Sequence, residues 1–286
     1  MQLAVITDEI DDNLEHALDV MTEYGVRGVE LRQLWGTHVI DLTDDQRAKV
    51  RDLVAQQNMV VCGIASPFYK CDLPGESGTE PGGPLHSASA LGLGDQIDLL
   101  QRSFNVAQYF DTKLIRIFTF WKRRTLSPEL EDQIVDLLAE PVALAEEAGL
   151  ILGLENEHAC YIGTGSQTAR IVERIASPAL RVIWDPGNAY CDGERPFPDG
   201  YEAVKDFITH VHVKDAKINT ATGSPEWSVI GDGAIDWSGQ IKALHQSGYD
   251  GFISLETHYA GPDGKEASSR ACLEQLKRIM KEVGVS

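Results

Sequence analysis

The 286-residue chain carries a formal net charge of -19 at pH 7 and a pI near 4.7, a balance that speaks against nucleic acid as partner, because basic surfaces supply most of that affinity. Its length suits one α/β barrel, typically ~250 residues, and its five cysteines, odd in number and without a Cys-x-x-Cys pair, read as reduced thiols. No basic leader precedes Leu3 and no apolar run approaches the ~18 residues of a membrane span, so a cytoplasmic protein with a small uncharged or weakly charged ligand and no membrane partner is expected.

Leu3 to Thr7 is a short β-like run, and Asp12-Asn13 caps a helical spacing through Leu14, Ala17, Leu18 and Met21 that Gly25 closes. Gly28 to Arg32 repeats the strand signal, and Thr43-Asp44-Asp45-Gln46 opens a second helix with a capping-box pattern. Val60 to Ala65 reads as the third strand, stopped by Ser66-Pro67. Residues 67–94 are rich in Gly and Pro, and so long a connection is expected to act as a lid or binding loop. A helix from Asp95 to Tyr109 leads to a strand at Leu114 to Phe118, and Ser127-Pro128 starts one long helix kinked at Pro141.

Leu150 to Leu154 is an apolar run that ends abruptly in Glu155-Asn156-Glu157-His158. A strand buried on both faces reads in this way, and parallel α/β proteins gather their chemistry at strand carboxyl ends. Ser166-Gln167-Thr168 is expected to cap the next helix, Leu180 to Trp184 runs into Asp185, and Tyr201 to Phe207 makes a short helix. Ile208 to Val213 follows, then a second long loop over 216–236, a helix from Trp237 to Gln246, a strand from Phe252 to Leu255 ending in Glu256, and a last helix from Lys265 to Val283. Eight strand–helix repeats without a linker predict a single (β/α)8 TIM barrel over residues 1–286.

In such a barrel Glu155, Asp185, His212 and Glu256, from strands five to eight, converge on one mouth. Two Glu, one Asp and one His suit one divalent ion, Mn²⁺ first, with Mg²⁺, Co²⁺ or Zn²⁺ also compatible. Strand alternation is expected to turn one of His210 and His212 inward and the other outward, and His212, nearer the carboxyl end, is the one read as inward. His158 is read as orienting a substrate hydroxyl or capping a loop. Glu30, Arg32 and Arg116 lie near other strand ends and suit either substrate contact or an Arg–Glu pair. Lys214 suits either neutralising charge that develops on a substrate oxygen or an ion pair in the neighbourhood of Asp215. Trp35, Phe68 and Trp121 suit either an apolar wall against a substrate's C–H face or, as aromatics more often do, the core. Cys160 lacks a second thiol at ligand spacing.

The chain resembles the xylose isomerase-like sugar isomerase/epimerase barrels, whose relatives include endonuclease IV, ketose 3-epimerases, hydroxypyruvate isomerases and inosose isomerases and dehydratases. The resemblance lies in Gly28-Val29-Glu30-Leu31-Arg32, Leu154-Glu155-Asn156, Trp184-Asp185-Pro186-Gly187-Asn188, His210-Val211-His212-Val213-Lys214-Asp215, Gly231-Asp232-Gly233 with Ile235-Asp236-Trp237, and Gly248 to Glu256. It implies that Glu155, Asp185, His212 and Glu256 ligate one metal ion, and that Glu155 and Glu256 serve as base and acid on a small keto-sugar or keto-inositol. Proton abstraction beside a metal-bound carbonyl would give an enediolate, whose fate decides between epimerisation, isomerisation and, as the alternative, dehydration. Asn188 stands where the 3-epimerases carry a histidine, and their arginine beyond the strand-seven histidine has no counterpart among Val213 to Asn219. His158, Asn188, Lys214, Glu30 and Arg116 are the expected substrate contacts. More remote readings are a DNA-repair enzyme, which needs further His ligands where only His38 and His86 stand, and a barrel that merely binds sugar. Relatives of this kind often associate, so a homo-oligomer is compatible.

Overall fold

Eight parallel strands close on themselves in the computed structural model, which describes residues 1–78 and 92–285. The strands are β1 (Gln2–Ile6), β2 (Gly28–Leu31), β3 (Val60–Phe68), β4 (Leu114–Ile117), β5 (Ile151–Glu155), β6 (Leu180–Trp184), β7 (Ile208–Val213) and β8 (Phe252–Leu255). Each pairs in parallel with its chain neighbours, and β1 closes the ring onto β8 through Gln2 opposite Phe252 and Val5 opposite Leu255. The helices are α1 (Leu14–Glu23), α2 (Asp44–Gln56), α3 (Gln96–Tyr109), α4 (Pro128–Ala148), α5 (Gly165–Ile175), α6 (Pro186–Cys191), α7 (Tyr201–Val204), α8 (Trp237–Gln246) and α9 (Lys265–Glu282).

The two-residue period of the strands divides their side chains between two tasks. Val29, Leu31, Ile115, Ile117, Leu152, Leu154, Val182, Trp184, Val211, Val213, Ile253 and Leu255 join the main apolar cluster with the buried faces of the helices. The alternate positions, Glu30, Arg116, Glu155, His212, Ser254 and Glu256, are also buried but polar, and they converge inside the ring. Gly153 shares this inner face by alternation, and it is glycine because a Cβ there would sit 2.6 Å from Ile183 Cγ1 and 2.9 Å from Leu114 Cδ1.

Four local expectations change. Ser66-Pro67 does not end β3, which runs on to Phe68 through an irregularity that re-registers it, with Phe68 opposite Ile117; a proline can sit in a strand where the ladder is interrupted. Thr164, two residues before the expected cap, starts α5 with a full capping box to Gln167. The helix expected over 201–207 is shorter, and α6, unforeseen, begins immediately after Asp185 with Pro186 at its first position. The loop over 216–236 contains a hairpin, Asp215–Ile218 against Pro225–Ser228. Of the lid expected over 67–94, residues 79–91, with His86, lie outside the described residues. Among the described residues no helix is long and apolar enough to cross a membrane.

Candidate metal and substrate site at the barrel mouth

Glu155, Asp185, His212 and Glu256 meet at the carboxyl ends of β5 to β8, each offering one ligand atom within 4.8 Å of the others. All four are at most 3% exposed. Asp185 is held by its backbone: Asn156 Oδ1 accepts its N–H at 2.9 Å, and Asn156 Nδ2 donates to its carbonyl at 2.8 Å. Its Oδ1 caps α6 by accepting the Asn188 N–H at 2.8 Å, which leaves Oδ2 facing the cluster.

His212 is gripped from both sides. Its Nε2 lies 3.1 Å from Glu30 Oε1, while Nδ1 points to Glu155 Oε1 at 3.3 Å and Glu256 Oε2 at 3.6 Å. A carboxylate behind an imidazole fixes the ring and raises its basicity, the usual support of a metal-ligating histidine. Burial disfavours the imidazolium, yet Glu30 and Glu155 lift the His212 pKa well above its usual value. Burial likewise opposes ionisation of Glu30, but His212 and His210 outweigh it and hold that carboxyl well below the usual range.

The expectation that His210 and His212 point to opposite faces is corrected: residues two apart in a strand share a face, and His210 Nε2 also reaches Glu30, at 3.0 Å. Glu30 therefore spends its oxygens on two imidazoles, on the far side of His212 from the cluster. Arg116 is equally internal, 3.3 Å from Glu155 Oε2 and 3.5 Å from Glu256 Oε1. Lys214 is fully buried, with Nζ 2.9 Å from Asp185 Oδ2 and 2.8 Å from Glu256 Oε2. Asn188 donates to Glu155 Oε1 at 3.2 Å and meets His158 Nδ1 at 2.8 Å. His158 is the most exposed of the group, its side chain 29% accessible, and Glu157 Oε1 lies 2.8 Å from Nδ1. Glu157 outweighs burial and raises the imidazole's pKa.

The donor set fits a divalent ion. Glu155 Oε2, Asp185 Oδ2 and His212 Nδ1 are buried without a well-aligned hydrogen bond, although each has an ionic neighbour within 3.3 Å. Proximity without alignment is what groups arranged for another occupant would show. Burial, reinforced by Glu155 and Glu256 against the pull of Lys214, pushes the Asp185 carboxyl up to about 7.

Two residues, Trp227 and His258, escaped the reading of the sequence. Trp227, on the second strand of the hairpin, stands edge-on to His158 and His258, with ring centroids 5.8 and 5.2 Å away. The hairpin is tied down by Asp215, whose carboxylate accepts the N–H groups of Ala216, Gly231, Gly233 and Ile235. A Cβ at Gly233 would fall 2.0 Å from Asp215 Oδ1, which explains that glycine. His258 adopts φ 46° and brings Nε2 to 3.5 Å from Glu256 Oε1. Arg32, read as a substrate contact or as half of an Arg–Glu pair, makes such pairs: Nη1 donates to Glu256 Oε1 at 3.1 Å while Nη2 and Nε serve Glu9 and Asp8. Of the aromatics named as candidates for a wall, Trp35 donates to Glu15, Phe68 stacks on Tyr69 in the core, and the backbone of Trp121 bridges to that of Cys160.

Known proteins share this frame. An inosose dehydratase from Lacticaseibacillus casei is 25% identical over 146 residues, a match that spans 45% of this chain and about half, 49%, of that relative. The IolI protein solved with a zinc atom superposes with a TM-score of 0.75 at 16% identity, over 99% of this chain and 98% of that one. The probable 3-DHS dehydratase AsbF from Bacillus anthracis does so with a TM-score of 0.73 at 17% identity, over 97% and 99%. At such identities the two structural likenesses speak for the fold alone. The model of the family described as xylose isomerase-like TIM barrel matches residues 18–281, and the chain belongs to that family.

Proposed function

We propose that the chain is a divalent-metal-dependent enzyme that removes the proton beside the carbonyl of a small polyhydroxylated ketone and then expels a neighbouring hydroxyl as water. The observation that carries the first half is the convergence of Glu155, Asp185, His212 and Glu256 within 4.8 Å at the barrel mouth. A divalent ion held there would polarise the substrate carbonyl and make the adjacent C–H acidic. Manganese, magnesium and zinc all suit this mixed oxygen and nitrogen set.

In this reading Glu155 takes the C–H proton, since Asn188 and Arg116 fix its two oxygens and leave it one orientation. The leaving hydroxyl needs a proton, and His158, linked through Asn188 to Glu155 and open to solvent, is placed to give it. Lost proton and lost hydroxide together make one water. Trp227 would offer its face to the substrate's C–H edge. The curated relative named above, an inosose dehydratase, supports a keto-inositol as the substrate to try first.

Epimerisation or isomerisation is the second reading. It is favoured by the presence of a second buried carboxylate, Glu256, which burial opposes but Lys214 and His258 hold ionised and which can return the proton from another direction. One experiment separates the two. Metal-loaded protein is incubated with a 2-keto-inositol in D₂O, with enone absorbance and deuterium content followed together. Dehydration predicts rising absorbance, abolished at least a thousandfold in Glu155→Gln. Deuterium exchange with no absorbance assigns the isomerase reading, and neither signal across keto-inositols, ketoses and hydroxypyruvate would contradict both.

A further inference from the structure

We infer that Lys214 is a resident counter-ion that competes with the divalent ion for Asp185 and Glu256, and so sets how tightly the metal is held. This rests on the metal reading above. The ammonium stands 2.9 Å from Asp185 Oδ2, 2.8 Å from Glu256 Oε2 and 4.0 Å from Glu155 Oε1, inside the set of three carboxylates rather than at its rim. It is completely buried.

The position is built by its surroundings. A Cβ at Gly187 would lie 2.8 Å from Lys214 Cγ, so only glycine at that point of α6 admits the lysine stem. The Trp227 ring closes over the ammonium, its centroid 5.3 Å from Nζ. Arg116 approaches Glu155 and Glu256 within 3.5 Å, and Arg32 approaches Glu256 at 3.1 Å. The carboxylates of the cluster are thus already balanced by side-chain cations before any ion arrives. A dication entering such a site gains less than it would from three uncompensated carboxylates, and it faces repulsion from an ammonium in a region of weak screening.

Two opposite consequences follow from removing the charge while keeping the stem. In Lys214→Met the metal loses its rival, and affinity rises; the metal-free protein loses the partner of two buried carboxylates, and its stability falls. A lysine that only orients substrate would leave metal affinity unchanged, and one that merely supports the ligands would weaken binding when removed.

The test is a chelator-competition titration with Mn²⁺ and with Zn²⁺ of the full chain and of Lys214→Met and Lys214→Arg, paired with thermal melts in excess chelator. The expected result is a dissociation constant at least tenfold lower in Lys214→Met, a lower melting temperature without metal, and little tightening in Lys214→Arg. Equal or weaker binding in Lys214→Met, with the wild type still binding one ion, overturns the role of the lysine and leaves the metal reading intact. No binding by either protein overturns both. Should Lys214→Met fail to fold without metal, Lys214→Gln purified with Mn²⁺ is expected to release it to chelator more slowly than wild type; equal or faster release counts against the inference.

Discussion

At the scale of single residues, the site is made by pairs in which one member aims the other. Glu30 touches His212 Nε2 and leaves Nδ1 toward the cluster, so Glu30→Gln should weaken metal binding by about 10–100-fold while leaving the fold intact, as checked by titration beside a far-ultraviolet spectrum. Asn156 satisfies both backbone groups of Asp185; Asn156→Ala strands a buried N–H and should cost about 2 kcal/mol in denaturant unfolding. Proton linkage follows from the same contacts. His212, raised well above its usual pKa, holds a proton near neutrality in the metal-free chain, and Asp185, raised to about 7, is divided there between its two forms. Groups with raised pKa values contribute stability below their unfolded values that is lost as pH climbs through the folded ones. Metal must displace these protons, so affinity should increase from pH 6 toward 8, and calorimetry in buffers of different ionisation enthalpy should report net proton release. Glu155, Asp185, His212 and Glu256 were legible in the sequence because each follows a strand-like run, apolar for the three carboxylates and alternating for His212. Trp227 and His258 were not: their approach to the cluster depends on a hairpin and a left-handed backbone, neither of which has a local sequence period, and the partners of Arg32, named as a strand-end arginine, come from across the barrel.

Secondary-structure elements carry the same division between what is local and what is not. Strands β5 to β8 could be read to within a residue because their patterns are short, and α5 was expected from Ser166-Gln167-Thr168, although the cap is Thr164, boxed with Gln167 three residues on. Thr164→Ala should remove the side-chain half of that capping box, the hydroxyl that accepts the Gln167 N–H, and cost about 1 kcal/mol, visible as a lower denaturation midpoint. β3 was misjudged because Ser66-Pro67 looks like a terminator, whereas the barrel accommodates it at a register shift. The Gly-Asp-Gly motif was noticed as a family feature, but its physical purpose, room for the Asp215 carboxylate among backbone N–H groups, required coordinates. Inside the ring, Gly153→Ala would press a methyl into Ile183 and Leu114 and should destabilise by about 1–3 kcal/mol, with the site's geometry shifted as well because Glu155 lies on the same inner face.

For the molecule as a whole, alternation of strand and helix sufficed to give the barrel, since closure of eight parallel strands follows from right-handed crossovers and the need to cover both faces. The same closure brings together groups more than a hundred residues apart in the chain, Glu155 and Glu256 among them, which is why a set of carboxylates scattered through a strongly acidic sequence becomes one buried cluster. The central claim is that this cluster holds one divalent ion, and equilibrium dialysis against Mn²⁺ with elemental analysis tests it most directly. The account predicts one equivalent per chain for the native protein and less than a tenth of that for a folded Asp185→Asn, His212→Gln double variant. A native protein that retains no ion above buffer, or a double variant that still retains a full equivalent, would contradict it.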